Sequence, residues 1–503
     1  MPVHPELPLI SLLLLILPVG ALLIWLVPDP GKARWIALAT LAVALVQAVV
    51  IGAHFDAASS GFQLVEEAAW IPSLNVHYRV GVDGISVLFL PLAILLVLGV
   101  VAASWNSVRS LPRLYYSLLL LLESVTLGVF CALDTMLFFL FWELTLIPLY
   151  FLISLWGIGP ERRYAAVKYS LFMLVGGVPL LFAFLLLAFN HAELGGGVLP
   201  GALMFDYMEL LATPLPQRTE VAVFLLLLAG FAVKTPVFPL HTWLPVVAME
   251  GPVGVAALMV GLKLGAYGLI RFAVPLAPGA AQELHWLLAG LGVTGVLYGA
   301  VTALAQTNLR RMLAYGSISH VGLVLLGIAS FSLQGLQGAV FQLLNFTLVA
   351  GGLFLMIGFL HQRTGSTDVI SLGGVGRSMP LLAAFFFVFV LASLGVPGTA
   401  GFPAELLILV SALGSHTGTG LAALFTMVLG AAYMLEGYRR TFYGPLVNAP
   451  VAQALDLRRR ELGVAVSFTV LILLAGLNPS WVLEPMRQAA EGWVGRLGGA
   501  LPL

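Results

Sequence analysis

FAVKTPVFPLHTWLP (231–245) and LASLGVPGTAGFPAELL (391–407) decide the reading of this chain. Each lies in an apolar window long enough to be membrane helix, and each is interrupted. Pro236 and Pro239 remove backbone donors from the first. Gly395, Pro397, Gly398, Gly401 and Pro403 interrupt the second. Each break lies beside an ionisable side chain, Lys234 in one and Glu405 in the other. Non-helical backbone at membrane depth is tolerated only where protein or a water-filled cavity satisfies its polar groups. Paired interrupted helices in two halves of a membrane protein mark inverted repeats with an ion site near the midplane.

The rest of the chain fits that frame. Its 503 residues are 60% hydrophobic and 9% charged, with a mean hydropathy of +1.04. Soluble proteins carry about 25% charged residues, so a soluble enzyme is excluded, and disorder requires the opposite composition. Net charge is zero, which offers nucleic acid no basic patch, and the single cysteine, Cys131, permits no disulfide framework. The N-terminal apolar run has no positive flank and is too long for a signal peptide, so it reads as a retained first helix.

Apolar windows predict an all-α polytopic protein of about fourteen helices: 7–27, 34–54, 84–105, 113–131, 133–155, 164–189, 220–245, 252–275, 283–305, 309–331, 334–360, 380–413, 420–442 and 461–481. They form a single membrane domain, 1–503. The interrupted helices are the seventh and twelfth, and a five-helix offset implies two inverted five-helix repeats, 113–275 and 283–442. Outside the repeats lie the N-terminal helices of 1–105 and a C-terminal helix and tail, 443–503. Loops after odd-numbered helices hold 15 lysines and arginines and the opposite loops 5. The odd loops are therefore expected in the cytoplasm and both termini on the outer side.

Lysine usage is unusual. There are 4 lysines against 19 arginines; Lys32 is in a loop, while Lys168, Lys234 and Lys263 lie in apolar runs. The arginines are expected in loops or at helix ends. Arginine does not release its proton, whereas lysine in an apolar setting can. A charge at the bilayer centre costs about 2.5–3.5 kcal/mol on insertion scales, so each intramembrane ionisable group is a functional candidate. These are Glu123, Glu143, Lys168, Lys234, Lys263, His320 and Glu405. Glu143 and Lys234 are the natural ion pair, and moving the glutamate away would free the lysine's proton. Lys234, Lys263, His320 and Glu405 then form a relay crossing both repeats, with Glu405 as the exit group. Blander roles exist: Lys168 can snorkel to the surface, Glu123 can bond a neighbouring helix, His320 and His241 can be packing groups, and Glu436 can pair with Arg439 and Arg440. No phosphate-binding loop and no histidine pair spaced for metal is present, and nothing in the sequence points to a bound nicotinamide, flavin or iron–sulfur cluster.

FFLFWELTLIPLYFLISLWG (138–157), FAVKTPVFPLHTWLP (231–245), LKLGAYGLIRF (262–272), AQTNLRRMLAYGSISHVG (305–322), LGVPGTAGFPAELLIL (394–409) and VDGISVL (82–88) together resemble the antiporter-like proton-pumping subunits of respiratory complex I, the subunit M or chain 4 family. The resemblance spans nearly the whole chain. It implies fourteen helices, two inverted repeats, and a proton channel driven by quinone reduction elsewhere in the complex. It implies a translocase subunit with no redox site of its own, the NADH, FMN, iron–sulfur clusters and quinone being held by partner subunits in a bacterial inner membrane. By the same resemblance Glu143 and Lys234 are the ion pair, Lys263 the central lysine, His320 a bridging group and Glu405 the terminal acid, with Glu123 and Lys168 at positions that often carry charge. Three departures stand out. VVAMEGPV (246–253) replaces the usual Asp-Ala-His continuation, Asn345 stands where a histidine is usual, and Asn308 where an aspartate is common. They leave open a Mrp-type cation/proton antiporter, or a complex I-like hydrogenase or carbon-uptake complex.

Overall fold

The computed structural model describes residues 7–446 and 448–498. The first six residues and the last five fall outside that range, so the expected outer placement of both termini concerns positions beyond the described residues. Eleven helices among the described residues are long and apolar enough to cross a membrane. They cover every sequence window except the third, seventh and twelfth. Windows 3 and 12 contain the shorter apolar helices Phe89–Ser104, Pro380–Ser393 and Gly401–Ser415. Window 7 divides into Gln217–Lys234 and Trp243–Glu250.

Both expected breaks are present, and their freed backbone groups find partners, as a low-dielectric interior demands. After Lys234 the chain unwinds, and the Trp243 indole donates to the Val233 carbonyl at 2.9 Å. In the second break Gly395 and Gly398 take positive φ (62° and 91°), a conformation open to glycine. There the Thr399 hydroxyl donates to the Val396 carbonyl at 2.7 Å.

The sequence reading missed a third break. Window 8, expected to be continuous, divides into Val253–Gly261 and Leu264–Gly268, with Leu262 and Lys263 non-helical between them. No proline marks it. The Thr347 hydroxyl of the helix beside it donates to the Gly261 carbonyl at 3.2 Å. The helix then loosens into a π-turn, Leu269–Ala273.

The long loop expected over 56–83 contains a β-hairpin. Strands β1 (Gln63–Ile71) and β2 (Val76–Val82) pair antiparallel. The hairpin ties the first helix to the segment around Asp206. Glu66 accepts from the Ile10 and Ser11 amides at 2.7 and 2.9 Å, capping free donors at a helix N-terminus, and Arg79 pairs with Asp206. The tail beyond 477 contains another helix, Ser480–Gly498, whose Trp493 indole donates to the Ile270 carbonyl inside the π-turn at 2.9 Å.

Two loop contacts share one pattern. Thr135 N donates to Phe205 O and Tyr207 N to Leu133 O, both at 2.8 Å. Likewise Leu309 N donates to Thr367 O at 3.0 Å and Val369 N to Thr307 O at 2.8 Å. In each case a side chain caps the helix that follows: Asp134 and Asp206 in the first contact, Asn308 and Asp368 in the second. Asparagine caps a helix as well as aspartate does, which accounts for Asn308.

Candidate functional site

Lys234 ends the half-helix Gln217–Lys234, where the helix dipole favours a cation. Its Nζ donates to the Thr145 hydroxyl at 2.7 Å and the Trp142 carbonyl at 3.0 Å, and it lies 4.0 Å from the centre of the Trp142 ring. Thr145 is the residue at which Thr135–Leu144 gives way to Leu146–Trp156. Glu143 is not among the ammonium's direct partners. Its carboxylate rests on the helix Arg162–Gly195, where a Cβ on Gly177 would stand 2.2 Å from Oε1. Lys234 thus rests on neutral oxygens, with Glu143 outside direct ion-pair contact.

A cavity of about 50 Å³ connects this group to Glu123; Thr145, Tyr169, Lys234 and Trp243 share its wall. That is room for water, which needs about 10–15 Å³. Glu123 is 1% exposed and its Oε1 has no partner. Leu262 and Leu264 line the same cavity, on either side of the break at Lys263. Lys263 is 3% exposed, with Nζ unpartnered and 5.4 Å from the centre of the Phe346 ring.

Phe346 neighbours both Lys263 and His320. The His320 ring meets it edge-on at 6.2 Å, and Phe346 forms part of the wall of a second cavity, of about 30 Å³, with His320, Gln342 and Asn345. His320 Nδ1 is 3.4 Å from Gln342 Nε2 and 3.4 Å from Glu405 Oε1. The Glu405 contact lacks hydrogen-bond geometry, and Oε1 is unpartnered, as are His320 Nε2 and Asn345 Oδ1. Glu405 follows the first turn of the half-helix Gly401–Ser415, where the dipole favours an anion. Its Oε2 would be 2.6 Å from a Cβ on Gly395. Glu143 and Glu405 are therefore each seated against a glycine of a facing segment.

Two sequence candidates stand apart from these cavities. Lys168 is half-buried, its Nζ 5.9 Å from the Tyr164 ring. His241, read as loop packing, is 3% exposed among Phe238, Tyr298 and Tyr315 with Nδ1 unpartnered. Glu436 pairs with Arg439 and Arg440 as expected.

Sequence reasoning missed Thr145, Gln342 and Phe346, whose roles come from facing helices rather than from their own residue type. It also missed the burial of two arginines. Arg271, counted as an outer-loop residue, is 5% exposed within the π-turn and forms a bidentate pair with Asp83, one bond of 2.7 Å. Arg310 is 2% exposed. Arginine is thus not excluded from the interior; where it enters, it is bonded. In VVAMEGPV, Glu250 accepts from the Glu161 amide at 2.8 Å, so this segment docks the end of the seventh helix onto the loop before the sixth.

Comparison with known proteins places the arrangement. Residues 132–430 match the family described as NADH:quinone oxidoreductase/Mrp antiporter, TM. NADH-quinone oxidoreductase subunit M of Rhodobacter capsulatus is 35% identical over 460 residues, spanning 90% of this chain and 88% of its own. A chain of respiratory complex I from Thermus thermophilus with bound NADH superposes with a TM-score of 0.88 at 32% identity, covering 97% of this chain and 100% of its own. A chain of the Mrp complex from Dietzia sp. DQ12-45-1b shares the fold, with a TM-score of 0.80 at 24% identity over 97% of this chain and 52% of its own. The chain belongs to the NADH:quinone oxidoreductase/Mrp antiporter transmembrane family, among the relatives of NADH-quinone oxidoreductase subunit M.

Proposed function

We propose that this chain is the proton-translocating membrane subunit of an NADH-quinone oxidoreductase. The observation that carries the reading is a series of ionisable groups, Glu123 and Lys234 on one small cavity, His320 on a second, and Lys263 and Glu405 close by, of which Glu123, Lys263, His320 and Glu405 each hold a buried atom without a partner. A buried polar group without a partner costs about 1–3 kcal/mol. Several in one line are a cost that packing alone does not explain, and each becomes satisfied when water or a proton arrives.

The chain's own chemistry is proton transfer. Lys234 bonded to Thr145 and Trp142, with Glu143 withdrawn, is poised to release its proton; return of Glu143 would hold it. Water in the first cavity carries the proton toward Lys263. Phe346 blocks continuous water between Lys263 and His320, so passage requires that ring to move. Beyond it, His320, Gln342 and Glu405 complete the path, with Asn345 orienting water rather than titrating. The NADH, flavin, iron–sulfur and quinone chemistry belongs to partner subunits, and the complex resides in a bacterial inner membrane with both termini of this chain outside. The matching loop contacts at 133–135/205–207 and 307–309/367–369 support fourteen crossings arranged as two inverted repeats, 113–275 and 283–442, within one domain.

Purification of the chain with its native partners, followed by mass spectrometry, tests the assignment. NADH-oxidising and quinone-reducing subunits are the expected companions. A set of small antiporter subunits without redox partners would overturn it.

A further inference from the structure

At one membrane interface the helices Ala33–His54, Phe89–Ser104 and Arg459–Leu477 leave a groove of about 680 Å³ between them. Its volume is that of a ligand site, and it is far larger than the two relay cavities. Its two ends differ in chemistry. The rim carries Arg458, Arg459 and Arg460 and no carboxylate. The floor is apolar, running past Leu95, Leu98 and Val464 to Phe468. From Arg459 to Phe468 is roughly 13 Å along a helix, about the length of ten methylenes.

The rim is built rather than incidental. Trp35 and Trp105 meet edge-to-face at 4.7 Å. The guanidinium groups of Arg34 and Arg460 lie 4.8 and 5.8 Å from the centre of the Trp105 ring, and Arg34 donates to the Trp105 carbonyl at 3.0 Å. Arg460 Nε is buried without a partner. The nearest acid, Glu461, is 1% exposed and bonded to Arg363, and reaches Arg460 at 3.8 Å. Arg458 and Arg459 have no ion-pair partner among the described residues. Gly463 lines the groove, and a Cβ added there meets nothing within 4 Å.

We infer that this groove binds an anionic phospholipid, with the phosphate at Arg458, Arg459 and Arg460 and an acyl chain along Leu98, Val464 and Phe468. A cationic rim in which Arg458 and Arg459 lack an acid partner, above an apolar floor and edged by tryptophans, matches a phosphodiester with a hydrocarbon tail. Free phosphate would leave the floor uncovered, and a zwitterionic lipid would leave the rim uncompensated.

The full-length chain in mild detergent, titrated with phosphatidylglycerol or phosphatidylcholine and read by native mass spectrometry, tests this. Two variants are compared: Arg458→Gln with Arg459→Gln, and Gly463→Leu, whose Cβ meets no protein atom within 4 Å and whose side chain adds bulk to the groove. The arginine variant is expected to bind phosphatidylglycerol about thirtyfold more weakly, at roughly 1 kcal/mol per arginine, with phosphatidylcholine unchanged. Gly463→Leu should remove both. Inorganic phosphate competing as well as the lipid, or both variants binding like the parent, would overturn the proposal. In the assembled complex, Gly463→Leu should lower bound phospholipid with every subunit retained. Loss of a subunit instead would identify a protein as the occupant and refute the lipid.

Discussion

Replacing Gly177 by alanine should impair proton translocation without harming the fold. An added Cβ would stand 2.2 Å from Glu143 Oε1, 3.0 Å from its Cδ and 3.5 Å from Oε2. Only the end of a flexible side chain is in the way. The carboxylate must retreat by about 1 Å to reach ordinary contact, and a misplacement of that size can cost up to ~100-fold in rate. Alanine is also the better helix former, by about 1 kcal/mol, so stability should hold or rise. The assay is proton uptake by inverted membrane vesicles during NADH oxidation, with assembly checked by native electrophoresis. Gly177→Ala should lose tenfold or more in uptake while the complex assembles. Glu143→Asp shortens the side chain by about 1.5 Å and should restore uptake in the Gly177→Ala background, so the two changes are far from additive. Parental uptake in Gly177→Ala, or losses in the double variant that simply multiply, would refute the claim that Gly177 seats this carboxylate.

Other expectations follow from the same geometry. Glu143→Ala should abolish most uptake with assembly intact, while Glu143→Asp alone is milder; vesicle assays on both decide this. Thr145→Val removes the 2.7 Å partner of Lys234 Nζ and should slow uptake several-fold without changing the subunit composition. Phe346→Ala should open the divider between Lys263 and His320 and raise passive proton leak in vesicles that are not respiring; unchanged leak would remove Phe346 from the path. Asp83→Ala leaves Arg271 buried without its partner and should destabilise the chain by about 3–5 kcal/mol, seen as lost assembly, whereas Asp83→Leu with Arg271→Met should recover part of it.

What the sequence disclosed and what it hid divide along physical lines. The breaks at Pro236 and Gly395 were legible because proline and glycine announce lost helix locally. The break at Lys263 was not, because LKLGAYG contains no proline and the stabilising group, Thr347, lies 84 positions away. The charged members of the proposed relay were legible as candidates because each is costly in an apolar run. Their neutral companions were not: Thr145 and Gly177 gain meaning only where helices face one another. Asp83 and Arg271, 188 residues apart, looked like loop residues because loop charge is ordinary, and only packing shows that they are buried together. The β-hairpin at 63–82 was hidden by its short, mixed pattern, which a search for long apolar windows passes over.

The central claim is that Lys234 and Lys263 carry protons across a chain that does no redox chemistry of its own. The most direct measurement is the number of protons moved per NADH oxidised by the purified complex in liposomes, with parent and Lys263→Ala compared. Lys263 has no bonding partner to lose, so the variant should assemble and retain its NADH–ferricyanide activity while that ratio falls. An unchanged ratio in a fully assembled complex would contradict the relay.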